Sequence, residues 1–199
     1  MTPDISYHDN GQQKFEGFYI DGKREGLSTE WYENGQKKSE MTYKNSKQEG
    51  LATFWNKDGQ KTEETIYKNG KEEVFVLYED GQKMMAETYK NSKLEGLTTH
   101  WHYNGQLESE VTYKNDKREG LVISYHDNGQ KMSEVTYKND KLEGLSISWY
   151  ENGQKENEET FKNGKQEGLF TEWHKNGQVK SVITYKNDKE VSTQLLKAA

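Results

Sequence analysis

The 199-residue sequence contains no cysteine and a single proline, Pro3. Without cysteine it can form neither disulfides nor thiolate metal sites, and nothing indicates an oxidising compartment. Only 30% of the residues are hydrophobic, so a conventional globular core would be small. No apolar run approaches the roughly 18 residues of a membrane-spanning helix, and residues 1–10 lack the pattern of a signal peptide. We expect a soluble, cytoplasmic protein.

Positive charge is also in short supply. The chain has 28 Lys and Arg against 34 Asp and Glu, which gives a formal net charge of −6. General nucleic-acid binding depends on a positive surface that neutralises phosphates, so we do not expect it. Aromatic residues, by contrast, make up 12% of the chain, whereas disordered chains contain few of them. The aromatic content predicts a folded protein.

The sequence repeats itself with a period of 24 residues. Asn-Gly-Gln or Asp-Gly-Gln recurs, and the interval between its glycines is 24 everywhere except 22 between Gly59 and Gly81. In a second motif, Glu-Gly-Leu, Val74 stands where one glycine is expected. We assign residues 1–190 to about eight units and residues 191–199 to a C-terminal cap or tail. The first motif has its glycines at Gly11, Gly35, Gly59, Gly81, Gly105, Gly129, Gly153 and Gly177, and the second at Gly26, Gly50, Gly96, Gly120, Gly144 and Gly168.

Each unit contains two turn motifs about 12 residues apart, with Ser, Thr, Trp, Tyr, Ile and Val between them. That spacing is typical of successive β-hairpins. A helix is disfavoured, because each glycine in its interior would cost about 1 kcal/mol. We predict an all-β fold, an elongated, twisted, single-layer antiparallel β-meander of about 16 strands. It would be a repeat solenoid, in which each hairpin is stabilised by its neighbours.

The parity of the strands predicts the loop at the Asn-Gly motif. A three-residue loop at residues 33–35, with a left-handed glycine, would pair Leu27 with Met41. It would also place Trp31 and Tyr43 on the face that carries these two residues. We therefore predict the three-residue form.

The same argument applies to the second turn, at residues 45–47, where a three-residue loop would keep Tyr43 and Leu51 on one side. We further expect rings such as that of Tyr43 to lie flat over glycines such as Gly26, which have no side chain.

Aromatic residues then form two rows on one face, eight residues after each turn glycine (Tyr19, Tyr43 and equivalents) and four before it. Trp and Tyr are enriched at binding hot spots, although in a single-layer protein the same rings also form the core. The candidate partner-binding residues are Trp31, Trp55, Phe75, Leu77, Tyr78, Trp101, His102, Tyr125, Trp149 and Trp173.

Residues 16–27, EGFYIDGKREGL, resemble the common form of the MORN repeat. Other copies, such as residues 136–155, TYKNDKLEGLSISWYENGQK, resemble the variant in bacterial YwqK-type antitoxins. The resemblance spans about residues 5–190 and implies an elongated antiparallel sheet that binds proteins or lipids, without a catalytic residue. We expect a protein-binding scaffold and, more specifically, an antitoxin or immunity-type inhibitor of a toxin or other effector protein. The alternative is a peripheral scaffold for anionic phospholipids.

Histidines precede several turns (His8, His102, His126 and His174), and His100 with His102 has the spacing of two metal ligands on one strand. Tyr or Asn fills this position in other copies, so we predict no metal site. Glutamates of Glu-Gly-Leu and lysines of neighbouring turns recur identically, which favours a solvated ladder of ion pairs over catalytic carboxylates. No motif for a nucleophile or a phosphate-binding loop is present. We expect no enzyme activity, catalytic residue or cofactor.

Two segments depart from the repeat. Val74 to Leu77 form an apolar run within residues 74–81, and this segment is a kink, a contact patch or sequence drift. The last ten residues, EVSTQLLKAA, replace Glu-Gly-Leu, and we interpret them as a short terminal helix that covers the last strand.

Overall fold

The computed structural model describes residues 1–68, 71–77 and 80–195. Every regular element in these residues is a β-strand, and they contain no helix. The chain divides into two compact units, Met1–Lys93 and Leu94–Ala199. Within each unit the strands form an antiparallel meander, in which the long strands pair with their neighbours along the sequence. The prediction of an all-β repeat meander is confirmed.

Unit 1 contains β1 (Thr2–Tyr7), β2 (Gln13–Ile20), β3 (Lys23–Arg24), β4 (Gly26–Trp31), β5 (Lys37–Lys44), β6 (Lys47–Trp55), β7 (Lys61–Lys68), β8 (Lys71–Leu77) and β9 (Lys83–Lys90). The two residues of β10 (Lys93–Leu94) straddle the boundary. Unit 2 contains β11 (Gly96–Trp101), β12 (Leu107–Lys114), β13 (Lys117–Tyr125), β14 (Lys131–Lys138), β15 (Lys141–Trp149), β16 (Lys155–Lys162), β17 (Lys165–Trp173), β18 (Val179–Lys186) and β19 (Lys189–Leu195). The predicted terminal helix is wrong as far as Leu195, because β19 pairs with β18 through that residue. Residues 196–199 lie outside the described part of the chain.

The Asn-Gly turns have the predicted three-residue form. The Tyr32 N–H donates to the Gln36 carbonyl at 2.9 Å and the Gly35 N–H to the Tyr32 carbonyl at 2.9 Å, while Gly35 has φ 83°. Trp31 accordingly pairs with Lys37. The register then shifts at a β-bulge, so that Leu27 pairs with Thr42. The predicted pairing of Leu27 with Met41 is therefore wrong.

The second turn has two residues, not three. Asn45 and Ser46 have φ 51° and 64°, and Lys44 pairs with Lys47. Two consecutive positive φ angles define a type I′ turn, the commonest two-residue hairpin. Tyr43 and Leu51 consequently lie on opposite sides of the sheet, contrary to prediction.

The Glu-Gly-Leu motif is itself a bulge of the strand that carries it. Tyr43 pairs with Gln48 and Met41 with Ala52, so residues 49–51 stand opposite a single residue. Gly50 has φ 82°, and a Cβ added to it would meet no atom within 4 Å. The same holds for Gly26, which pairs with Tyr43 as a cross-strand neighbour. The backbone conformation, not a ring lying over it, therefore explains the glycine.

The two bulges place the aromatic rows on opposite faces. From the strand registers, Tyr43 shares a face with Met41 and Ser28, whereas Trp31 lies with Leu27 on the other. The prediction of one aromatic face is wrong, because the bulge after the Asn-Gly turn inserts one residue and reverses the parity of the following strand. We call the two sides the tyrosine face (Tyr19, Tyr43, Tyr67; Tyr113, Tyr137, Tyr185) and the tryptophan face (Trp31, Trp55; Trp101, Trp149, Trp173).

The 22-residue interval corresponds to a hairpin without the Glu-Gly-Leu bulge. β7 and β8 pair without interruption, with Tyr67 opposite Glu72 and Thr65 opposite Val74. By register Val74 is the counterpart of Ala52, and the missing residues are the glycine and leucine of the bulge. The expectation that Val74 replaces the glycine is wrong.

The described residues enclose few buried apolar side chains. Ala52 and Ala86 are the buried hydrophobic residues among them, at 1% and 9% exposure. Apart from glycine, the other buried residues of the described part are serines and threonines such as Thr65. The sheet therefore depends heavily on strand pairing and on hydrogen bonds between successive repeats.

Those hydrogen bonds run along both edges. At one edge, which we call the Asn-Gly edge, Asn128 Nδ2 donates to the Glu151 carbonyl of the next turn at 3.0 Å. At the opposite edge, the lysine edge of type I′ turns, Glu143 Oε2 accepts the Asn163 N–H of the next turn at 2.7 Å. The same bond recurs from Glu25, Glu95, Glu119 and Glu167. These glutamates bind turn backbone, so the predicted lysine–glutamate ladder is not their role.

Candidate functional site

The tryptophan row is half-buried under lysines of the preceding hairpin. Lys37 Nζ lies 5.7 Å from the Trp55 ring centroid, Lys131 Nζ 5.9 Å from that of Trp149, and Lys155 Nζ 5.6 Å from that of Trp173. Each of these lysines also forms an ion pair with the glutamate three residues later. The face thus presents flat rings bordered by lysines whose charge is already compensated.

Beside the tryptophan row, the tryptophan face carries a row of exposed leucines. They belong to the Glu-Gly-Leu bulges, and threonines such as Thr136 lie between them on the intervening strands. Because equivalent strands recur every second strand, neighbouring leucines of one unit are about 10 Å apart. The exposed fractions are 48% for Leu27, 51% for Leu51, 48% for Leu97, 44% for Leu121, 49% for Leu145 and 59% for Leu169.

The structure brings most of the predicted partner-binding residues to this face. In unit 1, Phe75 and Leu77 join its tryptophans, and the Lys83 ammonium lies 4.2 Å from the Phe75 ring centroid. In unit 2, the Tyr125 hydroxyl donates to Glu110 Oε2 at 3.0 Å, and burial together with this bond raises the pKa of Tyr125. Tyr78 lies outside the described residues. The members on the face are Trp31, Trp55, Phe75, Leu77, Trp101, Tyr125, Trp149 and Trp173.

His102 belongs instead to the Asn-Gly edge. Its Nε2 lies 3.0 Å from the Tyr125 carbonyl oxygen, and its Nδ1 lies 3.1 Å from Asp127 Oδ1. In another copy the Tyr32 hydroxyl donates to the Trp55 carbonyl at 2.9 Å. Histidine and tyrosine alternate at this position because both reach the same backbone acceptor in the next repeat.

The metal-ligand spacing of His100 and His102 does not extend to a metal centre. His100 Nδ1 lies 3.3 Å from Ser109 Oγ, on the adjacent strand. Among residues 1–68, 71–77 and 80–195, no group of three or more His, Cys, Asp or Glu side chains is arranged to hold a metal ion.

A concavity of about 700 Å³ in unit 1 was not predicted from the sequence. Phe15, Arg24 and Glu30 of the tyrosine face line it together with Trp31 and residues of the Asn-Gly edge. Lys38 reaches across it and forms an ion pair with Glu30 at 3.1 Å. The sequence indicates it only in the first repeat, which has phenylalanine at position 15 and glycine at position 17. The equivalent positions of the next repeat, 39 and 41, are serine and methionine.

Six segments of the chain match the family described as MORN repeat variant, and together they span more than half of its length: residues 24–45, 48–69, 94–115, 118–139, 142–163 and 166–187. No curated protein matches the sequence. No helix in the described residues is long and apolar enough to cross a membrane.

Two solved structures are similar over part of the chain. One is a mutant of S. aureus TarM in complex with fondaparinux, alpha-GlcNAc-glycerol and UDP, at 9% identity and a TM-score of 0.36, covering 47% of this chain and 19% of that one. The other is TarM, at 11% identity and a TM-score of 0.35, covering 49% and 20%. This chain therefore spans about a fifth of the length of these proteins, and at such scores the likeness carries no functional argument.

Proposed function

The chain belongs to the MORN repeat variant family, whose repeats act in protein or lipid interactions, and on this premise we propose that it is a non-enzymatic, protein-binding scaffold. More specifically, we propose a cytoplasmic antitoxin or immunity-type inhibitor that covers the functional surface of an effector protein. The observation that supports this function most directly is the exposed leucine row of the tryptophan face.

Single exposed leucines are ordinary, but these leucines are aligned and form an apolar strip that is interrupted only by threonines. About half of each leucine still faces water, so burial under a partner would contribute roughly 1 kcal/mol per leucine. The half-buried tryptophans beside this row add the aromatic surface that hot spots favour. The strip is repeated in each copy that has the bulge, which suits a long, flat partner surface better than a small ligand.

The test is copurification from the native host with a triple variant, Leu97→Ser, Leu121→Ser and Leu145→Ser. Met132→Ser is the control, because Met132 is 42% exposed but is the inserted residue of a bulge beside the Asn-Gly turn, outside the leucine row. We expect a stoichiometric protein partner with the wild type and the control, and its loss with the triple variant. Recovery of no partner by the wild type, or equal recovery by the triple variant, would refute the proposal.

The inhibitor role has a separate test, expression of the neighbouring gene product alone and together with this protein. We expect growth arrest from the neighbour alone, rescue by the wild type and no rescue by the triple leucine variant. A neighbour that is harmless alone contradicts the antitoxin role and leaves the binding scaffold in place.

The lysine edge favours a second candidate function, binding to anionic phospholipids. Lys114 pairs with Lys117 across one turn and Lys138 with Lys141 across the next, and all four are exposed. Like charges directly opposite each other destabilise a hairpin. Anionic head groups bound at this edge would neutralise the lysine pairs and offset that repulsion. Residues such as Asp140, within the same turns, offset part of the charge.

Flotation with vesicles of phosphatidylserine and phosphatidylcholine at low salt tests this candidate. We expect flotation that weakens in a Lys138→Gln, Lys141→Gln variant, while the triple leucine variant floats like the wild type. Absence of flotation at low salt rules lipid binding out.

A further inference from the structure

Arg24 is a cation without a carboxylate partner among the described residues, although its repeat counterpart has one. In unit 2, Arg118 Nε forms an ion pair with Asp140 Oδ1 at 3.1 Å. The residue equivalent to Asp140 in unit 1 is Ser46, whose hydroxyl accepts the Arg24 N–H at 3.0 Å. The exchange of aspartate for serine keeps the turn contact with the backbone and leaves the guanidinium charge uncompensated.

Aromatic rings fix the position of this guanidinium. Its Cζ lies 5.3 Å from the Phe15 centroid and 5.2 Å from the Tyr43 centroid, and its Nε donates to the Tyr19 hydroxyl at 3.1 Å. Such contacts orient an arginine without neutralising it. Arg24 is therefore ordered before any ligand arrives, which lowers the entropy cost of binding.

Phe15 occupies its place because residue 17 is glycine. A Cβ on Gly17 would lie 2.7 Å from Phe15 Cζ and 2.9 Å from Ser28 Oγ. Later copies have Met41 or Thr65 at the position of Gly17, so the flat ring beneath Arg24 belongs to the first repeat.

The concavity beside these residues has a local excess of positive charge in a chain of net charge −6. Four cationic side chains line it, Lys14, Arg24, Lys38 and Lys57, against two acidic ones, Glu30 and Glu33. We call this concavity with Phe15 and Arg24 the Arg24 site.

Unit 2 contains the counterpart of this concavity, with a volume of about 470 Å³. In sequence, Ser133 is the equivalent of Phe15 and Leu142 that of Arg24, and neither belongs to the lining. Glu156, which does line it, stands in the place of Lys38. The counterpart therefore retains the concave shape of the repeat, with Trp149, Tyr150 and Lys175 in its lining, and lacks the Phe15 ring and the Arg24 guanidinium. The comparison separates a general property of the fold from a feature specific to unit 1.

We propose that the Arg24 site docks an acidic segment of a partner protein, with one carboxylate bound by Arg24 and an adjacent aromatic side chain covering Phe15. A single carboxylate matches the fork of a guanidinium. The doubly charged phosphoryl group fits less well, because Glu30 and Glu33 also face the concavity. The proposal deepens the protein-binding function and rests on it, since it supplies a second, charged contact on the tyrosine face.

The probe is a fluorescein-labelled heptapeptide, Gly-Glu-Phe-Glu-Phe-Glu-Gly, and its twin has Gln for each Glu. Binding to the full chain is measured by fluorescence anisotropy at low salt. We expect binding of the Glu peptide and about tenfold weaker binding of the Gln peptide, the loss anticipated for one charge-assisted contact.

Ser46→Asp is the decisive variant, because it gives Arg24 the carboxylate that Arg118 already has. Aspartate occurs naturally at this turn position in Asp116, Asp140 and Asp188, at φ 65°, so the variant should fold. We expect Ser46→Asp and Arg24→Gln each to weaken the Glu peptide about tenfold, and Arg118→Gln to leave it unchanged.

The inference is overturned if the two peptides bind alike, or if Ser46→Asp binds as the wild type does. Competition by inorganic phosphate as effective as that by unlabelled Glu peptide also overturns it, because the site would then accept any anion. The triple leucine variant should bind the peptide normally. If the wild type does not bind the Glu peptide but still captures its partner through the leucines, the Arg24 site is refuted and the proposed function stands.

Discussion

Replacing Asn152 with alanine should measure the hydrogen bond between successive Asn-Gly turns. The Asn152 Nδ2 donates to the Lys175 carbonyl of the next turn at 2.8 Å, and its Oδ1 accepts the Gln154 N–H at 3.1 Å. Each bond contributes about 1 kcal/mol net. We expect Asn152→Ala to lower the free energy of unfolding by about 2 kcal/mol.

A matched control is available in Asn176. Its Oδ1 accepts the Gln178 N–H at 3.0 Å, and its Nδ2 donates within the same turn, to Gln178 Oε1 at 3.3 Å. Asn176→Ala therefore removes local bonds only. The 3.3 Å bond joins two exposed side chains and contributes little, so the variant should cost about 1 kcal/mol. Asn152→Asp retains the acceptor and loses the donor, so it isolates the bond between the two turns. The excess of Asn152→Ala over Asn176→Ala estimates that bond.

Urea unfolding followed by tryptophan fluorescence supplies the measurement, with the free energy taken from the midpoint at equal slope. A changed slope would show either a change in the surface exposed on unfolding or a departure from two-state unfolding. Hydrogen exchange of unit 2 then gives the local free energy. An equal loss in Asn152→Ala and Asn176→Ala, with no loss in Asn152→Asp, would refute the reasoning.

Three further predictions concern single residues. Gly144→Ala should lower the free energy of unfolding, measured in urea, by about 1–2 kcal/mol, because residue 144 has φ 83°. The added Cβ would meet no atom within 4 Å, so the loss reports the backbone conformation alone. An unchanged free energy would contradict this explanation. Gly17→Ala should cost about 1–3 kcal/mol and recover part of it with Phe15→Ala, in a double-mutant cycle; additive losses would show that the ring is not responsible. The hydrogen bond from Lys180 lowers the pKa of Glu172. The stabilisation by the ionised Glu172 is therefore present above about pH 4.3, the usual glutamate pKa, and is lost as pH falls through the folded-state pKa. In Glu172→Gln the urea midpoint should fall less below about pH 4.3 than in the wild type, and equal pH profiles would refute the assignment.

Much of the fold could be predicted from the repeat itself. The spacing of Asn-Gly motifs identifies the hairpins, and the left-handed glycine identifies the three-residue loop. The distribution of residues between faces could not be predicted, because one inserted residue at the Lys38 bulge reverses every later side chain of its strand. The strand with the bulge and the strand without it both show an alternating pattern of aromatic and polar residues, so the sequence does not distinguish the two arrangements.

The candidate site shows the same limit. Aromatic residues drew the prediction to the tryptophan row, and the structure adds the leucines beside it. These leucines were expected on the face that carries Met41 and Tyr43, and the register places them on the opposite face, in exposed bulges. The Arg24 site depends on Ser46, which is 22 residues away in sequence and becomes informative only beside the Arg118–Asp140 pair.

The Glu-Gly-Leu bulge is a segment that a repeat can have or lack without a change in the rest of its hairpin. Its glycine and leucine are two residues, an even number, so their absence from β8 leaves the later side chains of that strand on their original faces. A copy can thus gain or lose its exposed leucine while the hairpin beneath it stays in register. Insertions or deletions of these two residues can therefore lengthen or interrupt the apolar strip one repeat at a time. The proposed partner preference could change in this way without a new fold.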